Sequence, residues 1–225
     1  MNKSKVVIIV AGGKGERMQT IIPKQFIEIN GKPILMHTIE TFTSYDSTLR
    51  IILVLPSIQI EFWNNLCKKY AFAVLHQIVE GGDTRFISVQ NGLKLVETPA
   101  LIAIHDGVRP FVSRKTIATC FEQAAIYGTA IPVIDVVESI RQVTQSGNQS
   151  VDRNAYKIVQ TPQVFDGKLL KKAYEQDFSP LFTDDASVVE ILNVKMHLVQ
   201  GNKENIKITT EFDLKLSEII ISSNK

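Results

Sequence analysis

The chain has 225 residues, 44% of them hydrophobic, and 25 Lys plus Arg against 23 Asp plus Glu leave a formal net charge of +2. That length closes one well-buried core, so a single domain over residues 1–225 is expected, and the near-neutral charge excludes the basic stripe with which a protein neutralises many duplex phosphates. Nucleic acid is therefore not expected as a partner, and Cys67 and Cys120, far apart and outside any CxxC pair, suggest neither a disulfide framework nor a zinc site and fit the cytoplasm.

From the N-terminus, Lys3 and Lys5 followed by an apolar run from Val6 imitate a signal peptide, but the run is too short and glycines follow at once. No run approaches the ~18 apolar residues of a membrane span, so no membrane segment is expected. Short β-branched runs at 6–11, 51–55, 72–79, 101–105, 129–133 and 194–199 read as strands buried on both faces. Helical spacing fills 33–42, 58–70, 84–96, 113–127, 167–174, 184–192 and 211–220. Strands alternating with helices predict an α/β fold with a mostly parallel, twisted sheet and flanking helices.

Residues 134–155 break the pattern, with polar and turn residues 144–150 beside the short alternation of Ile140 to Val143. They predict a protruding β-hairpin arm, and a hairpin with nothing of its own to pack against is expected to lie on another subunit; a plain surface loop is the alternative.

The first strand runs into Ala11, Gly12, Gly13, Lys14, Gly15, Glu16, Arg17 and Met18, with Pro23, Lys24, Gln25 and Phe26 close behind. Glycines after a buried strand let backbone N–H groups approach an anion. A Walker loop is excluded because Gly31 and Lys32 are followed by Pro33 and lack the earlier glycine. A dinucleotide fingerprint is disfavoured because Gly13 and Gly15 are followed by Met18, and the next strand ends in Pro56 and Ser57. Lys14, Arg17 and Lys24 form a cation cluster suited to a triphosphate and its transition state.

These and later blocks resemble the 2-C-methyl-D-erythritol 4-phosphate cytidylyltransferase family: AGGKGERM at 11–18, PKQF at 23–26, GGDTRFISVQNGL at 81–93, HDGVRPF at 105–111, VDRN at 151–154, TPQVF at 161–165, TDDAS at 183–187 and NIKIT at 205–209. The resemblance implies a Rossmann-like nucleotidyltransferase fold, a homodimer with exchanged arms, CTP as co-substrate, Mg²⁺, and pyrophosphate release on transfer to a sugar-alcohol phosphate. It makes Arg17 and Lys24 stabilisers of the charge on the α-phosphate, and assigns the acceptor phosphate to Lys207 and to Arg153 from the partner subunit. Ala11, Gly12, Gly13 and Gly15 would meet the nucleotide, Gly82, Asp83 and Ser88 the cytosine, and Asp106 the metal. Methylerythritol phosphate is the expected acceptor, ribitol 5-phosphate the nearest alternative, and a non-catalytic cytidine-nucleotide module a distant one.

Several of these residues also have plain structural readings. Asp83 reads equally as an N-cap of the helix at 84–96, and Asp184 and Asp185 read equally as first-turn acids or, through Thr183, as part of a substrate contact. Asp213, similar to a second acid in related enzymes, is read rather as half of a capping box with Thr210, and Arg109, which could serve the site, rather as an anchor of the Asp106 turn. His105 is expected to pack, and His37, His76 and His197 lack ligand spacing. Where the family often carries a hydroxyl and then a cation after the aspartate at 135, this chain has Val136 and Glu138. Arg141 could pair with Glu138 or face the substrate.

Overall fold

The computed structural model describes residues 3–12 and 22–223. In chain order they form β1 (Ser4–Val10), β2 (Glu28–Ile29), β3 (Lys32–Pro33), α1 (Ile34–Tyr45), β4 (Arg50–Leu55), α2 (Ser57–Lys69), β5 (Gln77–Glu80), α3 (Arg85–Leu93), β6 (Ala100–Asp106), α4 (Arg114–Tyr127), β7 (Thr129–Asp135), β8 (Arg141–Thr144) and β9 (Gly147–Ser150). Then come β10 (Lys157–Val159), β11 (Gln163–Asp166), α5 (Gly167–Ala173), α6 (Asp185–Glu190), β12 (Leu198–Gln200) and α7 (Glu211–Ser223). The main sheet runs β10-β7-β11-β6-β1-β4-β5, with β12 beside β7.

Period-two alternation in β1 builds two cores. Val7 and Ile9 point to one face, among Leu35 and Phe42 of α1, Trp63 of α2 and Phe121 of α4. Val6 and Ile8 point to the other, among Phe86 and Val89 of α3, Leu170 of α5 and Val189 of α6. Each fully buried aliphatic side chain of this kind contributes about 1.5–3 kcal/mol, which is why the central strands read as continuous apolar runs.

Strands β6, β1, β4 and β5 are parallel, whereas β11 enters antiparallel between β6 and β7. The chain leaves β1 toward β4 and β5 and returns to its other side as β6, so the direction of winding reverses at β1. Ligands of open α/β sheets gather outside the carboxyl ends of strands at such a reversal. Here Val10 lies level with Asp106 and Val54, while Glu80 pairs with Leu55.

The expected strand at 72–79 is shorter, Gln77–Glu80. Phe72 and His76 instead pack edge-on against Trp63, whose Nε1 donates to His76 Nε2 at 2.9 Å. Only the last residues of the expected run at 194–199 pair, as β12. The hairpin is present: β8 pairs with β9 in antiparallel register, and β10 then pairs back onto β7. Every residue from Arg141 to Ser150 is exposed. Among the described residues, no helix is long and apolar enough to cross a membrane.

Candidate active site

Each segment that reaches the carboxyl edge of the sheet is fixed by its neighbours. Ala11 N–H donates to the Val54 carbonyl at 3.0 Å, and Gly107 N–H to the Val10 carbonyl at 2.9 Å. A Cβ on Gly107 would stand 2.8 Å from Ala11 Cβ, so only glycine lets this turn lie against β1. After β5, Gly82 folds onto α3 so closely that a Cβ there would be 2.2 Å from Ile87 Cγ2. Ser88 Oγ accepts from Gly82 N–H at 3.1 Å and holds that turn. The N-cap of α3 is Thr84, which accepts from Ile87 N–H at 3.1 Å, so the capping reading of Asp83 is corrected by one residue and Asp83 is left to line the cavity.

Lys24 reaches the same cavity because its successors anchor the segment. Gln25 is fully buried and donates to the Ala11 carbonyl at 2.8 Å and to Gln59 Oε1 at 2.6 Å. Phe26 packs on Phe62 and Trp63. Lys207 arrives from the far end of the sequence: Ile208 N–H donates to the Val108 carbonyl at 3.0 Å, Asn205 Nδ2 donates to the Thr161 carbonyl at 2.8 Å, and Lys207 Nζ lies 3.1 Å from Asp106 Oδ2.

A cavity of about 270 Å³ is lined by Ala11, Gly12, Lys24, Gly82, Asp83, Arg85, Ser88, Asp106 and Lys207. A second, of about 300 Å³, is lined by Arg85, Asp106, Arg109, Thr161, Thr183 and Lys207, among others. The two share Arg85, Asp106 and Lys207 as their common wall. Gly13, Gly15 and Arg17 lie outside the described residues. Arg153 lines neither cavity; it is exposed and donates to the Val137 carbonyl within the arm.

Asp106 is 7% exposed at the end of β6. Burial alone would raise its pKa, but Lys207, Arg85 and Arg109 outweigh it and hold the carboxyl well below the usual range. Arg109 Nε donates to Asp106 Oδ2 at 3.0 Å and Nη1 to the Asn205 carbonyl at 2.8 Å, the anchoring role expected for it. His105 is buried against Phe42; its Nε2 lies 3.0 Å from the Arg109 carbonyl and its Nδ1 3.0 Å from Thr161 Oγ1, which accepts from Asp106 N–H. These bonds suit a neutral imidazole, and burial pushes its pKa down to about 4.

Asp213 accepts from Thr209 N–H and Thr210 N–H, both at 2.9 Å, while Thr210 Oγ1 accepts from Asp213 N–H, which completes the capping box. Asp184 caps α6 and shares a capping box with Ser187. Asp185 turns inward and binds Arg85. Arg85 sits inside the recognised GGDTRF block, yet no sequence signal separates it from a surface charge at a helix start, and its carboxylate partners lie 21 and 100 positions away.

Among the described residues, no group of three or more His, Cys, Asp or Glu side chains gathers as a metal site. Mg²⁺ bound to a nucleotide commonly takes only one or two carboxylates and fills its shell with phosphate oxygens and water. Asp106 fits that pattern: Oδ2 is taken by Arg109 and Lys207, while Oδ1 accepts no hydrogen bond among the described residues.

A glycine turn and a strand-end carboxylate beside Lys24, Arg85 and Lys207, at the reversal of a mostly parallel sheet, suit a nucleotidyltransferase. The sequence matches the 2-C-methyl-D-erythritol 4-phosphate cytidylyltransferase family over residues 5–223, and the chain belongs to that family. It is 57% identical over 217 residues, 96% of this chain and 99% of the relative, to the 2-C-methyl-D-erythritol 4-phosphate cytidylyltransferase of Bacteroides fragilis. The enzyme of that name from Phocaeicola vulgatus is 58% identical, over 96% of this chain and 98% of its own. Among solved structures, the 4-diphosphocytidyl-2C-methyl-D-erythritol synthase of Anaerococcus prevotii superposes with a TM-score of 0.83 at 28% identity, covering 98% of this chain and 96% of that one.

Proposed function

We propose that this chain transfers CMP from CTP to 2-C-methyl-D-erythritol 4-phosphate, releasing pyrophosphate and forming the cytidine diphosphate alcohol. The observation that carries the reading is the pair of cavities sharing one charged wall, since two phosphate-bearing substrates must meet there. A phosphate oxygen of the acceptor attacks the α-phosphorus of CTP, the bond from that phosphorus to the bridging oxygen breaks, and pyrophosphate leaves with the electron pair. Such a step asks the protein for alignment and charge neutralisation rather than covalent chemistry.

The turn of Gly82, Asp83 and Ser88 would read cytosine with backbone groups and a hydroxyl, and Lys24, joined by Arg17, would stabilise charge on the α-phosphate. Lys207 would bind the acceptor phosphate from the common wall. Mg²⁺, held through Asp106 Oδ1, would supply neutralisation of the triphosphate. Arg153 stands apart from both cavities on an arm with its residues 141–150 fully exposed, which supports a homodimer in which each arm brings Arg153 to the other chain's site. Two free cysteines and no membrane-crossing helix among the described residues favour a cytoplasmic enzyme.

Ribitol 5-phosphate is the second reading, supported by the departure at Val136, half-buried, and Glu138, exposed. Among the described residues Arg141 does not pair with Glu138; its Nε donates across the hairpin to Asn148 Oδ1. Pyrophosphate release from CTP and Mg²⁺, measured with the two acceptors in parallel, tests both. Turnover of methylerythritol phosphate alone is expected, and equal or reversed preference overturns the first reading.

A further inference from the structure

Arg85 completes the common wall with Asp106 and Lys207. It opens α3, and its guanidinium is held from behind: Nη2 donates to Asp185 Oδ2 at 2.6 Å, and Asp185 Oδ1 accepts from Tyr174 Oη at 2.6 Å. Asp185 is fully buried, and Tyr174 is 2% exposed with its ring stacked on Phe86 at 4.7 Å. A buried carboxylate with both oxygens committed fixes its partner's position, because any rotation of Arg85 would leave that charge unpaired. The same planar guanidinium, held there, carries its Nε 3.9 Å from Asp106 Oδ1.

Asp106 is thus gripped unevenly. Arg109 and Lys207 lie at 3.0 and 3.1 Å from Oδ2, whereas Arg85 faces Oδ1 from beyond hydrogen-bond range. Two cations fix one oxygen, and the third attracts the other without capping it. The carboxylate cannot swing about its terminal bond without separating one of these pairs.

We propose that Arg85, anchored by Asp185 and Tyr174, is a positioning residue that holds Asp106 Oδ1 toward the reacting phosphates, acting on the reaction through Asp106 rather than on either substrate. It rests on the cytidylyltransferase reading of the site. If Arg85 merely neutralised Asp185, its removal would affect folding and leave the performance of Asp106 unchanged.

The test is a double-mutant cycle on the full-length chain, with kcat and the KM for CTP measured for Arg85→Gln, Asp106→Asn and the double variant, and a thermal melt of each. Arg85→Gln is expected to lower kcat by about 10- to 100-fold, as loss of a residue supporting a ligand group does, with the KM for CTP little changed. The double variant is expected to fall no further than Asp106→Asn, since no carboxylate remains to be positioned. Losses that multiply, or wild-type kcat in Arg85→Gln, overturn the proposal. Should Arg85→Gln fail to fold, Tyr174→Phe takes its place: it keeps the stacked ring, removes only the hydroxyl, and must lower kcat in the wild type but not in the Asp106→Asn background. Wild-type pyrophosphate release separates the two levels of inference. Its absence overturns the cytidylyltransferase reading and the proposal with it, whereas its presence beside multiplying losses overturns the proposal alone.

Discussion

Asp106 and Arg153 both belong to recognised motifs and both are charged, yet they are held in opposite ways. Asp106 is nearly inaccessible at the end of a central strand and is gripped by three cations from three different segments. Arg153 is exposed and donates to the Val137 carbonyl of its own arm, and the strand that follows the arm is tied to the body by the backbone pairs of β10 with β7 and the Lys157 to Asp135 ion pair. Lys24, Gly82, Asp83, Ser88, Asp106 and Lys207 of one chain line a single cavity. The arm carries its cation into solvent, where an exposed residue keeps enough rotamer freedom to cost it affinity unless a second surface orders it.

The largest expected effects break this comparison at its two ends. Lys24→Ala removes a preorganised charge-stabilising donor and is expected to lower kcat by roughly 10²–10³, with an unchanged melting temperature, because the segment is held by Gln25 and Phe26. Normal turnover would remove Lys24 from the mechanism. Arg153→Ala is expected to be inactive alone and to recover activity when mixed with Lys24→Ala, since a mixed dimer rebuilds one complete site. No recovery after proven subunit exchange would place Arg153 and Lys24 in the same chain's site.

The same division decided what could be read before the structure. Strands β1, β4, β6 and β7 are buried on both faces, and their apolar runs announce them. By contrast β11 is four residues long, follows a proline and inserts antiparallel between two strands that precede it in the chain, an arrangement with no local signature. The motif residues Lys24, Gly82, Asp83, Ser88, Asp106 and Lys207 do converge on one cavity. Arg85 was hidden in an otherwise recognised block because its role depends on Asp185 and Tyr174, and spacing along a chain does not reveal an ion pair between residues 100 positions apart. The cap on α3 was misplaced by one residue because Asp83 and Thr84 are both good capping types, and only the backbone geometry chooses between them.

Stability should follow the burial contrast. Ile104 is fully buried in β6, and Ile104→Ala is expected to cost about 2–5 kcal/mol in chemical denaturation, from lost transfer energy plus the cavity left behind. A cost below about 1 kcal/mol would mean that the sheet relaxes into the gap. Next in size is a pH effect from His105, whose folded pKa of about 4 lies below the free value of 6.5. The neutral ring is favoured by folding, so this stability is intact above pH 6.5, drains as the pH falls through that window, and is gone below about 4. Between pH 7 and 4.5 the loss is about 2–3 kcal/mol. His37 and His76, also lowered by burial, act in the same direction. Asp106 loses its own contribution only under more acidic conditions. Denaturation of His105→Gln at the two pH values should show a smaller difference than the wild type; an equal difference would exclude His105 as its source.

The smallest expected effect is in the arm. Val143 is 79% exposed and, among the described residues, pairs only across the hairpin, with Asn148. Val143→Thr keeps the β-branched shape and the strand preference, so the stability of an isolated chain should stay within about 0.5 kcal/mol of wild type. In a dimer the same hydroxyl would have to be desolvated against the other chain, and sedimentation over a dilution series should then show dissociation at higher protein concentration than for the wild type. Unchanged association together with unchanged stability would mean that this face of the hairpin stays in water in the assembled enzyme. The proposed exchange of arms would then have to rest on the Arg153 end of the excursion, not on its tip.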